Sequence, residues 1–267
     1  MTADEGTVEG KDPAAHADAL LAAHHGSEPL VLANVWDAAS ARIVEETGFP
    51  FIATSSRAVA GVLGTQDNDS NDPDVIFDFI GRITGAVSCP VTADLEAGYR
   101  LDPSELVDRL LGCGAVGCNL EDTDHHSGGV LVDAERQAGF LAAVRAAAGA
   151  AGVHVVINAR VDTFIRTVGS EQEQMDEAIR RGHLYLAAGA DCVYPIALGD
   201  PDRIAQIAAA LPGPVNIGLR RGGLRIDELA ALGVRRISLA AGLHQVVGDY
   251  LRGVARGLAD GAGLDHL

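Results

Sequence analysis

The 267-residue chain has one lysine, Lys11; the other 19 of its 20 basic residues are arginine. Chemistry that needs a buried amine, such as a Schiff-base aldolase or a pyridoxal-phosphate enzyme, is thereby excluded. Its cysteines, Cys89, Cys113, Cys118 and Cys192, form no CxxC pair and have no histidine at zinc-finger spacing, so neither a disulfide framework nor a structural zinc is expected. Positive charge is scarce as well: 20 Lys and Arg face 37 Asp and Glu, a formal charge of −17. A field of that sign repels phosphate backbones and anionic lipid, which argues against nucleic-acid and membrane partners. No apolar run approaches the 18 residues of a membrane helix, and neither a dinucleotide GxGxxG nor a P-loop is present. The first 13 residues read as a flexible acidic leader without targeting character, and a soluble, cytoplasmic protein is expected.

What is abundant is an alternation. Short Val/Ile/Leu runs at 30–36, 51–55, 91–96, 117–122, 155–162, 192–196, 215–219 and 236–240 are each followed by a segment of helical periodicity. The predicted helices cover 38–47, 74–85, 102–114, 134–148, 172–188, 201–211, 225–232 and 243–258. Asp37, Asp72, Asp102 and Asp200 stand at cap positions, the last three directly before proline. Glycine closes several helices, at Gly114, Gly189 and Gly233, just ahead of a strand. Eight such units in residues 14–267 predict one α/β domain, a single (β/α)₈ TIM-type barrel, with a doubly wound sheet as the alternative. An extra N-terminal helix over 14–25 is placed to cover the bottom of the barrel.

Barrel enzymes carry their chemistry at the C-terminal strand ends. Three adjacent ends here are charged: Thr92-Ala-Asp-Leu-Glu96, Asn119-Leu-Glu-Asp122 and Asn158-Ala-Arg-Val-Asp162. Residues two apart in a strand share a face, which pairs Asp94 with Glu96, Asn119 with Glu121 and Arg160 with Asp162. Taken singly, such acids serve as barrel salt bridges or helix caps as often as in a site. Taken together they predict a cavity whose carboxylates hold a hard divalent cation, with Arg160 as a fork for a substrate carboxylate or phosphate. Cys118 is expected to face away from that cavity.

The segments Asn34-Val-Trp-Asp-Ala-Ala-Ser40, Ala53-Thr-Ser-Ser56, Ala93-Asp-Leu-Glu-Ala-Gly-Tyr99, Asn119-Leu-Glu-Asp122 and Asn158-Ala-Arg-Val-Asp162 resemble, in that order and over almost the whole chain, the isocitrate lyase/phosphoenolpyruvate mutase superfamily. The resemblance implies a Mg²⁺-dependent barrel, with Mn²⁺ able to substitute, that acts on a small 2-oxo or 2-hydroxy carboxylic acid through an enolate. It also implies a homodimer or homotetramer. On this likeness Asp94 is the primary metal carboxylate, with Glu96 and Glu121 completing the metal shell. Asp67 is the acid of the loop after strand two. Ser55, Ser56 and Arg57 present backbone N–H groups to the substrate carboxylate, and Asn119 and Arg160 bind the substrate.

The loop after strand four departs from both branches. The lyase motif with its cysteine is absent, and of the lysine and Asn-Ser pair of the mutase branch only Ser127 has a counterpart in Thr123-Asp-His-His-Ser-Gly-Gly129. His126 in that loop is the expected general acid or base. Arg220 to Arg225, after strand seven, are placed to bind a distal anionic group or to pair in an interface. The sequence thus predicts a carbon–carbon lyase. C–P chemistry (phosphoenolpyruvate phosphomutase or phosphonopyruvate hydrolase) and a non-catalytic metabolite-binding barrel are the alternatives.

Overall fold

The computed structural model describes residues 11–166, 169–261 and 263. The strands are β1 (Leu30–Val35), β2 (Ile52–Thr54), β3 (Val91–Asp94), β4 (Gly117–Glu121), β5 (Thr123–Asp124), β6 (Val130–Leu131), β7 (Val156–Val161), β8 (Cys192–Pro195), β9 (Asn216–Gly218) and β10 (Arg236–Ser238). Apart from the antiparallel β5–β6 hairpin, all are parallel, in the order β8-β7-β4-β3-β2-β1-β10-β9. A parallel bridge from Val193 to Val215 joins the two ends, which closes the ring into the predicted barrel.

The helices are α1 (Pro13–Ala23), α2 (Ala38–Glu46), α3 (Ser56–Leu63), α4 (Pro73–Thr84), α5 (Pro103–Gly112), α6 (Ala134–Ala150), α7 (Thr163–Arg166), α8 (Glu171–Ala187), α9 (Pro201–Ala210), α10 (Ile226–Ala231) and α11 (Gly242–Ala259). The predicted caps form: Asp37 accepts from the Ser40 N–H at 2.7 Å, and Asp72, Asp102 and Asp200 accept from first-turn N–H groups of α4, α5 and α9 at 3.0 Å. Gly114, Gly189 and Gly233 adopt positive φ of 81°, 102° and 89°, the left-handed turn that ends a helix and that glycine adopts without steric cost.

Leu106, Leu110, Leu141, Val144, Ile204 and Ile207 pack the helix layer onto the outward faces of the strands, all buried. Inside the ring several side chains are polar where barrels usually carry Val, Ile and Leu, among them Asn119, Asn158 and Arg236. Asn119 on β4 accepts hydrogen bonds from Asn158 on β7 and from Arg236 on β10. Strands β4 and β10 lie four apart in the ring of eight, so the last of these contacts spans the interior.

Helix α1 covers the bottom. Leu20 is fully buried at the start of β4, where Gly117 makes room for it: a Cβ there would lie 3.0 Å from Leu20 Cδ2, Thr92 Oγ1 and Val156 O alike. The predicted leader reaches too far, because Asp12 caps α1 and Pro13 begins it, while Lys11 Nζ donates to the carbonyls of Thr84 (2.6 Å) and Val87. Residues 1–10 of that leader lie outside the described residues. His24, in the residues just after α1, is buried beneath the barrel against Arg236.

Three elements were not anticipated. Helix α3 follows β2 with Ser55 as its cap and Gly64 as its stop, over a stretch too short to show helical periodicity. Helix α7 has only four residues. The β5–β6 hairpin encloses a 3₁₀ turn, His125–Ser127, whose N–H groups are capped by Asp124.

Candidate active site

A cavity of about 790 Å³ opens at the C-terminal ends of the barrel strands. Asp94, Asn119 and Arg160 reach it from the ends of β3, β4 and β7; Tyr194, Gly218 and Ser238 complete the wall from β8, β9 and β10. Ser55, Ser56 and Arg57 enter from the start of α3, and Asp67 from the loop that follows it. These residues lie far apart in the chain, and the common direction of the strands brings them together.

Asp94 is the centre of the arrangement. Its Oδ2 accepts from the Ser56 N–H (3.0 Å) and hydroxyl (2.9 Å), while its Oδ1 is buried with no hydrogen-bond partner among the described residues. A carboxylate oxygen left without a partner in a buried place is costly unless something electropositive sits on it. Negative charge crowds the same spot. Burial and the nearby Asp94 hold the Asp67 carboxyl above its ordinary range, and burial with Asp67 and Asp94 pushes that of Glu96 up to about 8. The donor set is oxygen only, and hard cations such as Mg²⁺ bind such sets.

The three expected metal carboxylates take different positions. Strand β3 ends at Asp94, and Glu96 has φ +51°, so the expected alternation stops there and Glu96 does not share a face with Asp94. Its Oε2 accepts from the Asp69 N–H behind the cavity wall. Glu121 is buried in an ion pair with Arg160 and a contact to His125 Nε2, and burial holds its carboxyl above its usual range against the pull of Arg160. Asp94 opposes the charge of both Glu96 and Glu121, so the three carboxylates stand near one another, although among the described residues no three His, Cys, Asp or Glu side chains form a ready-made cage. Asp94 is the one of the three on the cavity wall.

The substrate-side residues also differ in part. Arg160 gives its planar fork to Asp162, Nε to Oδ1 at 2.7 Å and Nη2 to Oδ2 at 3.0 Å, rather than leaving it open. Of its five N–H donors, three are committed to Asp162 and Glu121 and two remain. Asp162 in turn accepts from Thr123 Oγ1 at 2.6 Å, and its N–H donates to Asp122, which Arg181 and Tyr185 hold from α8. This buried chain fixes Arg160. The Ser55 N–H donates to Val35 O and that of Ser56 to Asp94, so among the three expected backbone donors only that of Arg57, in the first turn of α3, lacks an acceptor within the described residues. Asn119 lies on the wall as predicted.

His126 is not in this cavity. Its Nε2 faces Asp69, 3.1 Å from the carbonyl and 3.3 Å from Oδ2, across a neighbouring cleft of about 360 Å³ that Glu121 and His125 also line. His125, in the same cleft, protonates more readily through its contact with Glu121. Cys118 is fully buried, its thiol pushed up to about 12 by burial, and is no nucleophile. Asp69 and Tyr194 were missed. Asp69 clamps the loop after α3 by accepting from the Tyr99 N–H at 2.8 Å, and its signal was its spacing from Asp67. Tyr194, an aromatic inside an apolar strand, gave none.

The family model for phosphoenolpyruvate phosphomutase matches residues 20–259. An uncharacterized protein of Mycobacterium tuberculosis is 31% identical over 244 residues, 89% of this chain and 88% of that one. Oxaloacetate decarboxylase of Rhodopseudomonas palustris is 29% identical over 255 residues, 91% and 85%. A solved structure from Burkholderia cenocepacia, provisionally described as a phosphonomutase, superposes with a TM-score of 0.86 at 36% identity, covering 90% of this chain and 99% of that one. Oxaloacetate acetylhydrolase with its product oxalate shares the fold, at a TM-score of 0.83 and 22% identity over 94% and 89%. With a family match over nearly its full length and Asp94, Asn119 and Arg160 on one cavity wall, this chain belongs to the phosphoenolpyruvate mutase/isocitrate lyase superfamily of lyases and phosphomutases.

Proposed function

We infer that the protein is a Mg²⁺-dependent carbon–carbon lyase that cleaves a small 2-oxo or 2-hydroxy carboxylic acid through an enolate, releasing pyruvate or a relative. The observation that carries this reading is the buried, unpartnered Oδ1 of Asp94 beside the two uncommitted N–H donors of Arg160. A cation at Asp94 supplies Lewis acidity to the 2-oxo group and offsets charge developing on its oxygen. Asp94 holds it in place, and Ser56 keeps the carboxylate oriented by taking its other oxygen.

The chain's own groups do the rest. The Arg57 N–H and the free edge of Arg160 bind the substrate carboxylate, and Arg160, anchored by Asp162, stabilises the negative charge of the enolate without having to move. Arg220 and Arg221, across the cavity, receive a second anionic group, which favours a dicarboxylate. The oxaloacetate decarboxylase relative acts on such an acid by its name. The hairpin with its two histidines stands where it can limit water entry from the lateral cleft.

C–P chemistry is the second reading, favoured by the family model's description and by the same arginines, which suit phosphate as well. One experiment decides. The purified protein with Mg²⁺ is followed by proton and phosphorus NMR against oxaloacetate, isocitrate, 2-methylisocitrate, phosphonopyruvate and phosphoenolpyruvate. Pyruvate or glyoxylate formed from a carboxylic acid, lost in Asp94→Ala by a factor of about 10³ or more, supports the lyase. Interconversion of the phosphorus signals moves the assignment to the mutase branch. Ligand binding without turnover in any arm leaves the non-catalytic barrel.

A further inference from the structure

The barrel interior below the cavity holds a feature that the reaction does not require. Arg236, the first residue of β10, is fully buried, and among the described residues no carboxylate pairs with it. Its Nη1 lies 3.3 Å from His24 Nε2 and its Nη2 donates to Asn119 Oδ1 at 3.3 Å, while Nε has no partner among the described residues. An unpaired buried guanidinium is expensive to keep.

Its position explains its use. Asn119 Oδ1 also accepts from Asn158 Nδ2, at 2.7 Å. Two facing amides alone leave an ambiguity, because both can rotate by half a turn and still form one N–H to O bond. The guanidinium removes it. Arginine has only donors, so whatever faces it must accept. With Oδ1 turned down to Asn158 and Arg236, the Asn119 Nδ2 is left toward the cavity that this residue lines, beside its strand-register neighbour Asp94. His24 completes the relay from below. Its Nδ1 lies 2.8 Å from Leu20 O, which can only accept, so Nδ1 carries the proton and Nε2 offers a lone pair to Arg236. Burial and Arg236 lower the pKa of His24 to about 3, which keeps the ring neutral across the working range.

We propose that Arg236, seated on His24 beneath the barrel, is a positioning residue that locks the Asn119 amide with its N–H₂ facing the cavity, as a fixed donor to a substrate oxygen. The proposal deepens the lyase reading at the substrate-binding step and rests on it. Its structural part holds for any small oxyanion in the cavity.

The test separates the two. With the asparagine side chains ¹⁵N-labelled and the Asn119 N–H₂ signal identified through Asn119→Ala, oxalate is added with Mg²⁺ present. One shifted N–H₂ pair is expected in the wild type. In Arg236→Met the pair is expected to split into two orientations or to lose its response, and oxalate affinity to fall about ten-fold, the usual scale for a misdirected buried donor. This readout needs no turnover, so failure of the lyase assignment does not touch it. Where turnover is measurable, Arg236→Met is expected to lower kcat/KM about ten-fold in the wild-type background and by nothing further in Asn119→Ala, as groups acting as one unit behave. Arg236→Lys, which keeps a donor, should restore the single N–H₂ pair. Should Arg236→Met fail to fold, His24→Phe gives the same comparison with a smaller loss. An unchanged Asn119 signal and oxalate affinity in Arg236→Met or His24→Phe, or losses that multiply in the double variant, would overturn the proposal.

Discussion

At the scale of single residues, the site is governed by which polar groups are already committed. Arg160 and Glu121 satisfy each other, whereas Asp94 Oδ1 is left open. His126 is tied to Asp69 outside the main cavity, so His126→Gln is expected to lower kcat less than ten-fold. A general acid in direct contact with substrate would lose about 10²- to 10⁴-fold, and a steady-state comparison of His126→Gln with His125→Gln reads the difference. Glu96 makes a prediction about pH. Its folded carboxyl titrates near 8 against 4.5 in the unfolded chain, because burial, Asp67 and Asp94 oppose its charge. The folded state thus holds this proton more tightly, so the contribution to stability is complete below about 4.5 and lost as pH rises toward 8. In the presence of EDTA the melting temperature should fall across that window, and Glu96→Gln should flatten the fall.

At the scale of elements, the strand ends and the turns beyond them decide what faces the cavity. The turn at Glu96 breaks the alternation of β3, and the β5–β6 hairpin folds the two histidines toward Asp69 and Glu121. At the opposite end, α1 seats Leu20 against a glycine. Gly117→Ala places a methyl 3.0 Å from a side-chain carbon, a hydroxyl and a backbone carbonyl, of which the carbonyl cannot yield. The expected loss is about 1–3 kcal/mol of folding stability, measured by urea unfolding, with Mg²⁺ binding retained in the fraction that remains folded.

At the scale of the whole molecule, one face is left over. Helix α11 runs for 18 residues without a buried side chain, and exposes Val246, Val247, Tyr250, Leu251 and Leu258. A row of this kind is unusual on a chain of such high charge. For the dimer or tetramer that the family resemblance implies, the expected occupant of this face is a second copy of the chain. Sedimentation is expected to show a mass above that of one chain, and Leu251→Glu to lower it toward the monomer. Among the described residues no helix is long and apolar enough to cross a membrane.

The sequence by itself determined the eight βα units and most of their boundaries within two residues, because buried parallel strands read as apolar runs and because Asp caps and glycine stops are local signals. It also determined which strand ends carry polar side chains, since Asp94, Asn119, Glu121 and Arg160 follow directly from strand parity. Only the tertiary structure decided how those charges are shared. Glu96 left the set through a left-handed turn, Arg160 spent its fork on Asp162, and His24 and Arg236, 212 positions apart, met under the barrel to orient Asn119. Commitments of this kind are pairwise and long-range. They are fixed by distances between strands and helices that no local pattern encodes.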